Sequence, residues 1–187
     1  MLMTEAALRR RLPPGLAHAG LAPGGHRPAA VLVPLEPERG VWLTRRSANM
    51  PNHAGQVSFP GGKIEAEDGS VEEAALREAE EEIGLNRGTT EVIGRMDDFI
   101  TGTGFHISPV LALVPRDVVF TAAAGEVQEV FCVPFETLLN PEFPRRRQAF
   151  WRGREQPFWV WPHESHVIWG ATAMILRNLA CLLRADR

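Results

Sequence analysis

The chain predicts an α/β fold, a mixed β-sheet sandwiched between α-helices, on three observations. Short runs rich in β-branched and aromatic residues, bounded by Gly and Pro, recur from position 29 to 134. Apolar residues recur at helical spacing over 71–84, and again from about His166 to the end. No repeat, low-complexity tract or linker interrupts the 187 residues, so one domain over 1–187, with its core at about 29–182, is expected.

Residues 4–12 read as a short amphipathic helix, and 13–27, rich in Pro and Gly, as a loop. AAVLVPLE (29–36) and GVWLTRR (40–46) read as two strands joined by a tight turn at Pro37–Gly40. A loop over 47–54 and a short strand over 55–59 follow. The glutamate-rich helix spans about 71–84 and stops at Gly84. Segments 91–99, 107–115 and 127–134 read as strands, 134–139 as a helical turn, and 148–161 as a hairpin about Gly153. In the terminal helix Ile168, Ala171, Ile175, Leu179 and Leu182 fall on one side.

Composition excludes several classes of function. A net charge of -3 gives no general drive toward nucleic acid or an anionic membrane. No apolar run approaches the ~20 residues of a bilayer span, and MLMTEAALRRRLPP lacks the apolar core of a signal peptide. A cytoplasmic protein with no nucleic-acid or membrane partner is expected. Cys132 and Cys181, each in an apolar context, read as buried free thiols rather than a disulfide or a zinc pattern. Whether the chain is a monomer or a homodimer is open from its sequence.

Six glutamates stand between Glu72 and Glu82, interrupted by one cation, Arg77. Glu78, Glu81 and Glu82 are spaced three and four apart and share a helix face, opposite a stripe of Ala75, Leu76, Ala79 and Ile83. Arg77 can offset part of their repulsion through Glu73 or Glu81. A solvated acidic face would usually carry more Lys or Arg at i+4. A hard cation with oxygen ligands, Mg²⁺ or Mn²⁺, would relieve the excess charge. The preceding Phe59–Gly62 turn adds Gly backbone that can approach such a cation closely.

Gly62 to Leu85 resembles the Nudix box of hydrolases that cleave nucleoside diphosphates linked to another moiety. Arg77, Glu78, Ala79, Glu81, Glu82, Gly84 and Leu85 match its second half. In the first half the acidic position counted from Gly62 is Asp68 rather than Glu, and the spacer to Arg77 is one residue longer than usual. LTRRSANMPNHAGQVSFPGG (43–62) resembles the motif of the coenzyme A pyrophosphatase branch through Leu43, Thr44, Arg46, Ser47, His53, Gly55, Gln56, Val57 and Phe59–Gly62. The longer box is a habit of that branch; Pro51 stands where it usually has a basic residue. Residues 97–114 and 166–176 are also similar to it.

The resemblance implies a Nudix fold and divalent-metal-dependent hydrolysis of the pyrophosphate of coenzyme A or its derivatives, to 3′,5′-ADP and 4′-phosphopantetheine. It implies Glu78 and Glu82 as metal ligands, Glu81 as a third ligand or a group orienting water, and the Gly61 carbonyl as a further ligand. Arg77 and Gly62 would support the site. Arg45, Arg46, Ser47, His53 and Gln56 are candidates for substrate contact, and Arg45, Arg46 and Arg145–Arg147 for the 3′-phosphate. Two glutamates, Glu126 and Glu129, are candidates for the base. Trp151, Trp159, Trp161 and Trp169 read as core or sheet-face residues rather than an adenine platform. Two other functions stay open: a Nudix hydrolase for another nucleotide such as ADP-ribose, and a non-catalytic nucleotide-sensing module.

Overall fold

A computed structural model describes residues 2–12, 24–151 and 153–185. The loop expected over 13–27 lies outside the described residues up to position 23, as does the Trp151 side chain. Helix α1 is Glu5–Arg11, and strands β1 and β2 are Arg27–Glu36 and Gly40–Arg46. Strands β3 (Val57–Ser58) and β4 (Gly61–Lys63) lead into helix α2 (Val71–Ile83). Strands β5 (Glu91–Arg95), β6 (Phe99–Ile100), β7 (Phe105–Leu113) and β8 (Val127–Pro134) follow, then the short helix α3 (Phe135–Leu138). The chain closes with β9 (Arg145–Trp151), β10 (Arg154–Trp161), β11 (Ile168–Trp169) and α4 (Gly170–Arg184).

Among the described residues β1–β8 form one mixed sheet and β9–β11 a second, antiparallel one. Only the β1–β7 pair in the first sheet is parallel, from Arg27↔Phe105 to Leu35↔Leu113. Strand β2 carries β8 along its length, Gly40↔Pro134 to Arg45↔Glu129, and β3 at Thr44 and Arg45. The sheet buries both faces. On one, Ala30, Leu32, Val110 and Ala112 pack with Ala74, Ala75, Ala79 and Ile83 of α2. On the other, Leu43, Leu111, Phe131 and Val133 pack with Leu8, Trp161, Ile168, Leu176 and Leu179. Fully burying a side chain such as Ile83 contributes about 1.5–3 kcal/mol.

Several expectations are corrected. The strand expected over 55–59 is reduced to Val57–Ser58, because its ladder with β2 is short and Gly55 and Pro60 flank it. The strand expected over 91–99 is two pieces: β5 shifts register against β7 between Val92 and Gly94, and the chain rejoins β7 only at Phe99. Ile168 lies in β11 rather than in the terminal helix, and Ala171 and Leu182 are only half-buried. The buried face of α4 is instead Thr172, Ala173, Ile175, Leu176, Leu179, Ala180 and Leu183. Cys181 is exposed and Cys132 half-buried, both free. Of the tryptophans, Trp161 is fully buried with its Nε1–H on the Ala173 carbonyl at 3.0 Å, while Trp169 is 44% exposed. Among the described residues no helix is long and apolar enough to cross a membrane.

Candidate active site

The sequence sets both ends of α2. Ser70 is extended, and its Oγ accepts the Glu73 N–H at 3.1 Å. The Glu73 carboxylate reaches back to accept the Gly69 N–H at 2.9 Å. At the other end Gly84 adopts φ 63°, and the Gly84 and Leu85 N–H groups donate to the Glu80 and Ala79 carbonyls. Glu73 is therefore engaged in capping and does not pair with Arg77.

Arg77 ties the helix to the loop before it. Its Nε and one terminal nitrogen donate to the two oxygens of Asp68 at 2.9 and 3.1 Å, and the same terminal nitrogen reaches the Lys63 carbonyl at 3.2 Å. The other terminal nitrogen donates to Glu78 at 3.0 Å and lies 3.4 Å from Glu81. Asp68 is thus the anchor of Arg77, and the guanidinium holds its carboxyl down at about 2. The sequence left Asp68 without a role; its nine-residue separation from Arg77 across a loop gives no periodic signal.

Glu78 and Glu82 converge on the Phe59–Gly62 turn. Glu82 Oε2 accepts the Gly61 N–H at 3.1 Å, and Oε1 lies 3.5 Å from an Arg46 terminal nitrogen. The Glu78 carboxylate lies over Gly62, where an added Cβ would sit 2.5 Å from its oxygens. A Cβ on Gly61 would meet the Ala30 carbonyl oxygen at 2.4 Å. These two glycines let the turn pass between strand β1 and the two carboxylates. Glu82 is only 5% exposed. Burial pushes its carboxyl up to about 7, with Glu78 and Glu126 raising it further against the Gly61 N–H and Arg46. Burial raises Glu78 as well.

Glu81 is less committed, with its side chain 60% exposed and 3.4 Å from Arg77. Among the described residues no three His, Cys, Asp or Glu side chains stand together as a finished metal cage. The donor set nevertheless fits a hard divalent cation in kind. Two carboxylates held beside a Gly61–Gly62 backbone are all-oxygen ligands, and their raised pKa values express an unmet need for positive charge. Glu78, Glu82 and the Gly61 carbonyl would hold the ion, with Glu81 within a helical turn of them.

The two candidate bases separate. Loop 121–127 packs on the end of α2, where the Thr121 and Ala123 N–H groups donate to the Ile83 and Glu82 carbonyls. Glu126 belongs to that loop and is an electrostatic neighbour of Glu82. Glu129 lies in β8 with Phe131 and Val133, whose side chains enter the core on the α4 face, away from α2. There its Oε2 stands 3.0 Å from His166 Nε2.

The other candidates divide the same way. Arg46 lies beside Glu82, and its buried Nε has no hydrogen-bond partner among the described residues. Arg45 pairs across the ladder with Val57 and Glu129. Ser47 Oγ accepts the Asn49 N–H and its own N–H donates to the Glu126 carbonyl at 2.8 Å. His53 Nδ1 and Gln56 Oε1 meet at 2.8 Å on the exposed loop, close to exposed Pro51. Arg145, Arg146 and Arg147 are exposed on β9 in the second sheet.

A carboxylate-bearing helix locked against a Gly-Gly turn on a mixed sheet defines a class of hydrolase acting on phosphoric anhydrides. The NUDIX domain family model matches residues 25–152. The chain is 41% identical over 157 residues to the uncharacterized Nudix hydrolase NudL of Escherichia coli strain SMS-3-5 / SECEC, covering 83% of this chain and 82% of the relative. Two solved structures share the fold: RenU, a Nudix hydrolase from M. smegmatis (TM-score 0.51, 21% identity, 76% of this chain and 86% of that one), and a MutT/nudix family protein from Enterococcus faecalis (TM-score 0.51, 14% identity, 89% and 65%). The protein belongs to the Nudix hydrolase family, whose members use divalent metal ions to cleave pyrophosphate bonds.

Proposed function

We propose that the protein hydrolyses the pyrophosphate of coenzyme A and its derivatives, giving 3′,5′-ADP and 4′-phosphopantetheine or its acyl form. One observation carries this reading. The segment 43–62, which resembles the coenzyme A branch, supplies two groups that contact the buried Glu82 carboxylate, namely Arg46 and the Gly61 N–H. The segment and the metal-binding helix therefore form one site.

In that site Glu78, Glu82 and the Gly61 carbonyl would hold Mg²⁺ or Mn²⁺, with Glu81 as a third carboxylate or as the group that orients water. When bound, the ion would neutralise charge on the diphosphate and acidify water. Glu126 takes the proton of the attacking water. The water oxygen bonds to one phosphorus as the bridging P–O bond breaks, and the second phosphate leaves. Arg46 donates to a phosphate oxygen. Arg77 acts as a positioning residue through Glu78.

A substrate panel with Mg²⁺ or Mn²⁺ tests the reading. Coenzyme A should be cleaved at least tenfold faster, by kcat/KM, than ADP-ribose or a dinucleoside polyphosphate. Preference for ADP-ribose would overturn it.

A further inference from the structure

The second sheet carries an arm that the hydrolytic chemistry does not use. Strands β9 and β10 pair from Arg145↔Val160 to Trp151↔Arg154. Strand β11 joins β10 only at Val160 and Trp161, so beyond them the arm is two strands wide among the described residues. Two strands alone are marginal in water, and three or more make a stable sheet. Every residue from Arg145 to Phe150 is exposed, Phe150 at 74%, so both faces of β9 are open. Among the described residues no strand pairs with its outer edge. Every second residue of such an edge turns an N–H and a C=O outward. Charge on an edge strand ordinarily blocks pairing. Here it is confined to one end: Arg145, Arg146 and Arg147 open β9, and Ala149, Phe150 and Trp151 close it without charge.

We propose that β9 is the contact strand of a homodimer, in which two copies pair edge to edge, antiparallel, about a two-fold axis at Gln148. The strand's own charge pattern selects this partner and this register. Under that axis Arg146 lies opposite the partner's Phe150, Arg147 opposite the partner's Ala149, and Gln148 opposite the partner's Gln148. All seven residues of β9 then pair, and no arginine faces an arginine. A pivot on Arg146 or Arg147 would set that arginine against itself, which is destabilising. A pivot on Ala149 or Phe150 would leave Arg145 and Arg146 beyond the ladder. Side chains directly opposite stand about 4.5–5.5 Å apart at Cβ. That brings the Arg146 guanidinium within reach of the partner's Phe150 ring, a favourable contact of cation and aromatic face. Two arms of two strands become one sheet of four, in the order β10–β9–β9–β10, with no free β9 edge. The contact uses the same patch on both copies and closes at two.

The proposal stands apart from the coenzyme A reading and holds or fails whichever nucleotide the carboxylate site cleaves. Its test is sedimentation equilibrium of the full chain at concentrations up to about 100 µM, where mass action favours association. The parent protein should show twice the chain mass. Phe150→Arg sets an arginine against the partner's Arg146 and should weaken the dimer at least tenfold. Within its own arm the new side chain stands across from Glu155, so the variant should unfold as cooperatively as the parent. Adding Arg146→Glu to Phe150→Arg places opposite charges across the two-fold axis and should restore the dimer. A monomeric parent would overturn the proposal, as would an assembly larger than two or undiminished dimerisation of Phe150→Arg. A double variant that folds but stays monomeric would overturn the register about Gln148.

Discussion

Glu82 accepts the Gly61 backbone N–H at 3.1 Å from within the protein, with 5% of the residue exposed. The contact joins the last turn of the acidic helix to the turn that precedes it, 21 residues earlier. It places a carboxylate where burial opposes its charge, which only a cation or a proton relieves.

That conflict has a pH signature in metal-free protein. The Glu82 carboxyl stands at about 7 in the folded chain against an ordinary 4.5. Between those values the folded state holds the proton and the unfolded state does not. The stabilisation is complete below 4.5 and is lost as pH rises through about 7. At one pKa unit per ~1.4 kcal/mol, the loss is roughly 3 kcal/mol at most. In the presence of a chelator, thermal unfolding should occur at lower temperature at pH 8 than at pH 6, and Glu82→Gln should flatten the difference. A parent protein with equal melting temperatures at both pH values contradicts this.

Gly62→Ala should separate folding from catalysis. The new Cβ would meet the far end of the Glu78 side chain at 2.5 Å, not backbone, so the side chain can swing aside. Turnover should fall at least tenfold and Mn²⁺ affinity should weaken, with the melting temperature changed by only a few degrees. Undiminished Mn²⁺ affinity would remove Glu78 from the ligand set.

Asp68→Asn tests the anchor of Arg77. Without the charged bidentate partner, the guanidinium is free to settle on Glu78 and Glu81, which it already touches. kcat should drop about tenfold while KM for coenzyme A stays within about twofold, because Asp68 contacts no substrate in this account. A change confined to KM would point to direct substrate contact instead.

The cysteines should differ in reactivity. Burial pushes the Cys132 thiol up to about 12, whereas Cys181 is exposed. Brief alkylation at pH 8 followed by peptide mass analysis should find Cys181 modified and Cys132 intact.

Much of this was legible in the sequence because the information is local. Ser70 and Gly84 mark the ends of α2, and the i, i+3, i+4 spacing of Glu78, Glu81 and Glu82 names its acidic face. What was not legible depends on which partners arrive from a distance. Glu82 is buried because the turn at Gly61 and the Arg46 side chain close over it. Asp68 acquires its role only when the loop folds back onto Arg77. The buried face of α4 is wider than its simple stripe because β10, β11 and α1 all pack on it. The strand expected over 91–99 ends at Arg95, just past a register shift against β7, and resumes only at Phe99, which propensity along one strand does not encode.

The most direct test is mass analysis of the products when coenzyme A is incubated with the protein and Mg²⁺ or Mn²⁺, run beside Glu82→Gln. The account predicts equal amounts of 3′,5′-ADP and 4′-phosphopantetheine from the parent protein, and at least a hundredfold less from the variant. Intact coenzyme A, cleavage at any other bond, or undiminished product from Glu82→Gln would contradict it.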